Sequence, residues 1–213
     1  MLKNWLVKMK QIKKGSKGFI NHSNYLSCNN RAAHEKTDIT VLNDASKNII
    51  NEVDKRTLHR QKNSLTGGGV RNYASSFVIS LPNNIKQPTT EEWKKISLYA
   101  IKKIAEATDI DFNKLRKISH IVLHNEDRSL NKNNHVHILV GNVLDNKVIK
   151  KVSQYGALHA IKESVNYSVK KLLNEDNNEY MPINTNVRDK PLHVARAEKM
   201  EIILNNFSKF KNS

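Results

Sequence analysis

Ile121-Val-Leu-His-Asn-Glu-Asp-Arg-Ser-Leu-Asn-Lys-Asn-Asn-His-Val-His-Ile-Leu-Val140 is the stretch that decides the fold of this chain. It contains two apolar runs, Ile121–Leu123 and Val136–Val140, on either side of a polar segment rich in Asn. Short apolar runs that flank a polar, turn-forming segment are typical of two antiparallel strands joined by a loop. The stretch therefore predicts a β-hairpin.

Three of the nine histidines of the chain fall on this hairpin. His135 and His137 are two residues apart, so on a strand they point to one face while Val136 points to the other. His124 ends the first strand, where strand pairing would bring it beside them. Three convergent imidazoles without a Cys cage are typical of a catalytic metal site with open coordination positions. Histidines at this spacing also occur as buried, hydrogen-bonded core residues, so both interpretations stay open.

At these residues the chain resembles the HUH endonucleases, a superfamily named after two histidines separated by a hydrophobic residue, here His135-Val136-His137. A third histidine on the neighbouring strand, here His124, is also part of the pattern in plasmid relaxases and in some rolling-circle replication initiators. The resemblance covers residues 1–175 and identifies them as a nuclease domain. Residues 176–213 are expected to add a loop and a C-terminal helix to the same domain.

The resemblance implies a divalent metal, Mg²⁺ or Mn²⁺, held by the three histidines. It also implies a tyrosine hydroxyl that attacks single-stranded DNA and becomes joined to the 5′ phosphate. In relaxases this tyrosine lies well before the histidine hairpin, so Tyr25, which follows the basic Gly-Ser turn of residues 13–18, is the first candidate nucleophile. Glu126 or Asp127 would orient a histidine or lower the net charge of the site, and Asp127 could instead only shape the hairpin loop. The implied activity is nicking and rejoining of one strand at an origin of transfer in plasmid mobilisation, with accessory mobilisation or replication proteins as further partners.

Tyr167 is the second candidate nucleophile. Rolling-circle initiators carry a helical Tyr-x-x-Lys after the histidine hairpin, and Tyr167-Ser-Val-Lys170 is similar to this motif. By that resemblance Lys170 would assist at the scissile phosphate. A replication initiator is therefore the alternative to a mobilisation relaxase. Either tyrosine could also be an ordinary half-buried or surface residue.

The charge of the chain favours a polyanionic partner. Lys and Arg number 36 against 20 Asp and Glu, and the net charge of +16 is typical of proteins that bind nucleic acid. Residues 28–73 are polar, and their basic side chains, among them Arg31, Lys36 and Arg71, suit a track for a single strand of DNA. Because charge alone says nothing about catalysis, a nucleic-acid-binding protein without enzymatic activity is a third interpretation.

The single cysteine, Cys28, excludes an intramolecular disulfide and a Cys-based zinc site. No segment approaches the roughly 18 apolar residues that a membrane-spanning helix needs. These two observations predict a cytoplasmic protein that does not contact a membrane.

The remaining pattern predicts an α/β fold of the α+β sandwich type, with one central, mainly antiparallel sheet flanked by helices. Apolar or alternating runs predict four strands, near residues 5–12, 75–81, 118–124 and 135–140. Apolar stripes at i, i+3, i+4 spacing predict two long covering helices near residues 91–107 and 157–173. Shorter or more peripheral helices are expected near residues 19–26, 45–53 and 194–210.

Overall fold

The structure is a computed structural model that describes residues 5–82, 84–126, 133–180 and Met200. Trp5–Glu179 form one compact unit, and this unit contains every candidate site residue except Asp127, which lies outside the described residues. The helix predicted near residues 194–210 also falls outside them, apart from Met200. Among the described helices, none is both long enough and apolar enough to cross a membrane.

One antiparallel sheet organises the unit, as predicted. Its strands are β1 (Leu6–Gln11), β2 (Thr37–Asn43), β3 (Ala74–Ser80), β4 (Ser119–Glu126) and β5 (His135–Gly141). They lie in the order β1-β3-β5-β4-β2, with every neighbouring pair antiparallel. The predicted hairpin is confirmed, because β4 pairs with β5 and places His124 opposite His135.

The two faces of the sheet differ in chemistry. Directly opposite residues of an antiparallel pair project to the same face, so the strand register assigns each side chain to one side. One face carries the histidines of β4 and β5, together with Val78 and Ser80 of β3. The other face of the three inner strands is mainly apolar, and six fully buried apolar side chains lie on it: Phe77, Ile79, Ile121, Leu123, Val136 and Ile138.

Two long helices, α3 (Thr90–Thr108) and α5 (Tyr155–Leu173), pack on each other and cover the apolar face. Each buries one apolar stripe, which includes Trp93 and Ile104 of α3 and Val165 of α5. A capping box starts α3, since the Thr89 hydroxyl accepts from the Glu92 N–H while the Glu92 carboxylate accepts from the Thr89 N–H. The two helices lie where the sequence predicts them, and the α/β sandwich is confirmed.

The histidine face is covered in part by α1 (Gly15–Ser27), with α2 (Ser46–Lys62) beside it. Helix α1 begins earlier than predicted, inside the segment expected to be a basic turn. Gly15 adopts a left-handed φ of +57°, and a Cβ on Gly18 would lie 1.9 Å from the Lys13 carbonyl oxygen. The glycines are therefore needed for the chain to turn tightly from β1 into the helix.

The polar segment 28–73 contains regular structure that its composition does not suggest. Strand β2 pairs with β4 along the edge of the sheet, and α2 extends nine residues beyond the predicted end at Val53. A short helix, α4 (Phe112–Lys117), precedes β4. A small hairpin of β6 (Val143–Leu144) and β7 (Lys147–Val148) stands where only a turn is expected.

Candidate metal centre

The three predicted histidines meet on one face of the sheet. Strand alternation puts His135 and His137 side by side, and the pairing of β4 with β5 puts His124 next to both. Their ring centroids lie 4.9 to 5.0 Å apart. One nitrogen from each imidazole lies within 4.8 Å of the other two, so the group could hold a metal ion.

Hydrogen bonds orient two of the three imidazoles. The Nε2 of His124 donates to the Leu26 carbonyl oxygen at 2.8 Å, and the Nδ1 of His135 donates to the Asn133 carbonyl oxygen at 2.9 Å. Each bond leaves the second ring nitrogen, His124 Nδ1 and His135 Nε2, without a proton and able to bind a cation. Metal-binding histidines usually donate their other N–H to a carbonyl or carboxylate in this manner.

The third imidazole fits a ligand for another reason. The Nδ1 of His137 is buried and has no hydrogen-bond partner among the residues that the structure describes. A buried polar atom without a partner is costly and rare in folded proteins, and is expected where a ligand completes the site. Imidazole donors are preferred by first-row transition ions, whereas Mg²⁺ prefers oxygen ligands, so the donor set favours a transition ion.

Burial keeps His124 and His137 neutral. Desolvation lowers the pKa of His124 to about 4, and it holds the pKa of His137 far below its usual range, with the neighbouring histidines adding to both effects. A neutral imidazole is the form that binds a metal. At neutral pH these two histidines can therefore bind a cation without first losing protons.

Glu126 borders the cluster. Its carboxylate accepts a hydrogen bond from the Thr37 hydroxyl at 2.8 Å, and its other oxygen lies 3.9 Å from His135 Nδ1. The same Nδ1 donates to the Asn133 carbonyl oxygen. Glu126 adds a negative charge beside the imidazoles, which favours a bound cation.

Helix α1 brings Tyr25 to the cluster. The carbonyl of Leu26, the next residue, is the acceptor for His124. The Tyr25 ring lies 4.7 Å from the ring of His34, which in turn lies 5.1 Å from the ring of His124. Tyr25 is 38% exposed, so its ring is accessible to a ligand at the same time.

His34 joins the tyrosine to the metal-binding group, a role that the sequence does not reveal. It lies in a 3₁₀ turn, Ala32–His34, and is only 5% exposed. Its Nδ1 donates to the Cys28 carbonyl oxygen at 2.8 Å, which holds the ring between Tyr25 and His124. His22 was also missed. It borders the same site one helical turn before Tyr25, and its Nε2 is buried without a partner among the described residues.

Tyr167 and Lys170 are not brought to the histidines. Tyr167 lies on α5, in the helix layer that covers the apolar face, where its ring stacks on Tyr99 of α3 at 5.4 Å. Lys170 pairs with Asp176 at 2.7 Å. Of the two candidate nucleophiles, Tyr25 is thus the one on the histidine side of the sheet.

The three basic residues predicted to contact DNA are exposed, but only one reaches the candidate nucleophile. The Arg31 guanidinium carbon lies 5.5 Å from the centroid of the Tyr25 ring. Lys36 precedes Thr37, the strand residue that bonds Glu126. The carbonyl of Arg71 accepts from the Gly15 N–H at the start of α1.

Comparison of the chain with protein-family models, with curated proteins and with solved structures finds no significant match. The case for a function is therefore carried by the residues of the site.

Proposed function

We propose that this protein is a metal-dependent nuclease that nicks and rejoins one strand of DNA, as a plasmid mobilisation relaxase does. One observation carries the proposal: His124, His135 and His137 converge on one face of the sheet, and α1 places Tyr25 beside them. The net charge of +16 supports a nucleic-acid substrate. A site with metal-binding nitrogens, an accessible nucleophile and a basic surround suits phosphoryl transfer.

The histidines would hold a divalent ion, Mn²⁺ or Mg²⁺, which supplies a Lewis acid for a phosphate oxygen of the substrate. The protein's part is to keep the imidazoles neutral and correctly oriented. Burial keeps His124 and His137 neutral. Hydrogen bonds to the carbonyl oxygens of Leu26 and Asn133 orient His124 and His135, respectively.

Tyr25 is the nucleophile in this proposal. Its hydroxyl oxygen attacks the phosphorus, a new O–P bond forms, and the bond from phosphorus to the 3′ oxygen breaks. The phenol proton passes to water, and the departing 3′ oxygen takes up a proton to become a free hydroxyl. The 5′-phosphotyrosine bond retains the energy of the phosphodiester, so a 3′ hydroxyl can reverse the reaction and rejoin the strand. Arg31, next to the Tyr25 ring, adds positive charge where the phosphate would bind.

The position of Tyr25 favours a relaxase over a replication initiator that uses Tyr167. An initiator of that kind needs its tyrosine within reach of the metal, whereas Tyr167 packs on Tyr99 in the helix layer of the opposite face. A basic protein that binds nucleic acid without catalysis could hold a structural metal at the same histidines, so the formation of a covalent adduct is what distinguishes it from the nuclease.

The experiment is a search for a covalent protein–DNA adduct. Single-stranded oligonucleotides that tile the DNA around the gene are incubated with the protein in Mn²⁺ or in EDTA and separated on a denaturing gel. The proposal predicts an upward-shifted protein band in Mn²⁺ that is absent in EDTA and absent with Tyr25→Phe, while Tyr167→Phe retains it. Loss of the band with Tyr167→Phe alone would identify an initiator. Binding without any adduct would leave a non-catalytic DNA-binding protein.

A further inference from the structure

The histidine face of the sheet is only partly covered, and a groove remains between α1 and the strands β1 and β3. The groove has a volume of about 740 Å³, and both His137 and Tyr25 line it. Its floor includes Val78 and Ser76 of β3, and one of its walls is α1. A ligand that occupies this groove would therefore touch the candidate metal centre.

Four lysines line the groove: Lys8, Lys10, Lys13 and Lys14. All four are exposed, and none of the described residues that line the groove is acidic. Elsewhere on the described surface lysines pair with carboxylates, as Lys114 does with Asp145 and Lys170 with Asp176. The groove thus concentrates positive charge without compensation, and such a surface favours an extended polyanion.

The lysines are also regularly spaced. Lys8 and Lys10 are two residues apart on β1, so both point into the groove, about 6.7 Å from each other along the strand. Lys13 and Lys14 continue the row where β1 leads into α1. A row of separate cations beside an aromatic ring is how proteins bind a single strand of nucleic acid, with the cations on successive phosphates and the ring against a base.

We infer that this groove binds the segment of single-stranded DNA adjoining the phosphate that is cut. The lysines hold its backbone without reading its sequence, and they guide the strand toward His137 and Tyr25. His22, whose buried Nε2 has no partner among the described residues, offers the strand one further hydrogen bond from the wall of the groove. The inference rests on the proposed function for the identity of the substrate, but not for the binding itself.

Binding of fluorescent oligo(dT) of about 20 nucleotides, longer than the usual site of ~4–16 nucleotides, tests the inference by fluorescence anisotropy in EDTA. Each lysine–phosphate contact adds about 0.7 to the slope of log affinity against log salt concentration. The double variant Lys8→Gln, Lys10→Gln should therefore lower the slope by about 1.4 and the affinity at 0.1 M salt by about 25-fold. Gln keeps much of the aliphatic stem, and circular dichroism checks that the variant folds.

The matched control is Lys95→Gln, Lys102→Gln, which removes the same charge from exposed positions of α3 on the other side of the sheet. It should change the affinity less than about twofold, since distant charges are screened at this salt concentration. Equal losses in the two double variants would overturn the inference, because the whole surface would then be acting through net charge. Because EDTA removes the metal, adduct formation is tested in a separate experiment. If the groove binds oligo(dT) while no adduct forms, the proposed nuclease activity is refuted and the inferred DNA-binding groove still stands.

Discussion

Replacing His137 by Leu should make the protein more stable without metal and less stable with it. Leu is similar in size to His, and it places no polar atom at this half-buried position of β5, where the Nδ1 of His137 is itself buried. The Nδ1 of His137 has no partner among the described residues, and burial disfavours its charged form. If His137 serves to bind a metal, the free energy of folding that its unpaired Nδ1 costs should be recovered when Leu replaces the imidazole.

The size of the effect follows from two opposing contributions. A buried, unpaired polar atom costs about 1–3 kcal/mol, so His137→Leu should raise the free energy of unfolding in EDTA by about 1–2 kcal/mol. A ligand at 100 times its Kd stabilises the folded state by about 2.7 kcal/mol, and the variant should lose nearly all of this gain. The order of stability of the two proteins should therefore reverse when saturating Mn²⁺ replaces EDTA.

Urea unfolding at pH 7, with and without Mn²⁺, measures both quantities. His34→Leu is the control, because His34 is buried but its Nδ1 donates to the Cys28 carbonyl oxygen at 2.8 Å. That variant should lose stability in EDTA. A loss of more than 1 kcal/mol in His137→Leu, or full stabilisation of this variant by Mn²⁺, would refute the reasoning and make His137 an ordinary core residue.

Three further outcomes follow from individual contacts. In EDTA the protein should lose stability between pH 7 and pH 5, about 2 kcal/mol of it from His124, because the unfolded imidazole titrates near 6.5 and takes up a proton that the folded one, with a pKa of about 4, does not. His137, whose folded pKa is lower still, adds a similar loss, and a flat urea profile would contradict both. His34→Leu should slow adduct formation about 10- to 100-fold by freeing the Tyr25 ring, while isothermal titration shows a nearly unchanged Kd for Mn²⁺. Thr89→Ala should cost about 1 kcal/mol in thermal unfolding by removing the cap of α3, with Mn²⁺ binding intact as evidence that scaffold and site are separable.

The hairpin could be predicted from the sequence because its signal is local. Two apolar runs and the alternation of His135, Val136 and His137 specify both strands and the face that each side chain occupies. The helices α3 and α5 could be predicted equally well from the sequence, since each repeats its apolar residues at helical spacing over five turns. The convergence of the three histidines therefore follows from the short-range pattern of the hairpin alone.

The rest of the site depends on pairing between distant segments. Strand β2 pairs with β4, which is far away in the sequence, as Thr37 opposite Glu126 illustrates, and no local feature of the polar segment around β2 indicates that pairing. The 3₁₀ turn that contains His34 directly precedes β2. The pairing of β2 with β4 therefore holds this turn against the sheet and places His34 beside Tyr25 and His124. Without β2, His34 is one more polar residue in a polar stretch.

The choice between the two tyrosines and the location of the lysine groove also needed the three-dimensional arrangement. Both tyrosines stand on helices, and only the packing shows that α1 lies on the histidine face while α5 lies on the other. Lys8 and Lys10 were visible as basic residues of a strand. The sequence did not show that these two lysines line a groove between β1 and α1, because this depends on how α1 packs against the sheet.

Tandem mass spectrometry of the trypsin-digested adduct tests the central claim most directly. Cleavage after Lys17 and Arg31 yields one peptide that contains both His22 and Tyr25, and fragmentation assigns the nucleotide to one of them. The account predicts a 5′-phosphonucleotide on the Tyr25 oxygen, formed in Mn²⁺ and absent in EDTA. A nucleotide on the His22 imidazole, or on the peptide that carries Tyr167, would contradict it.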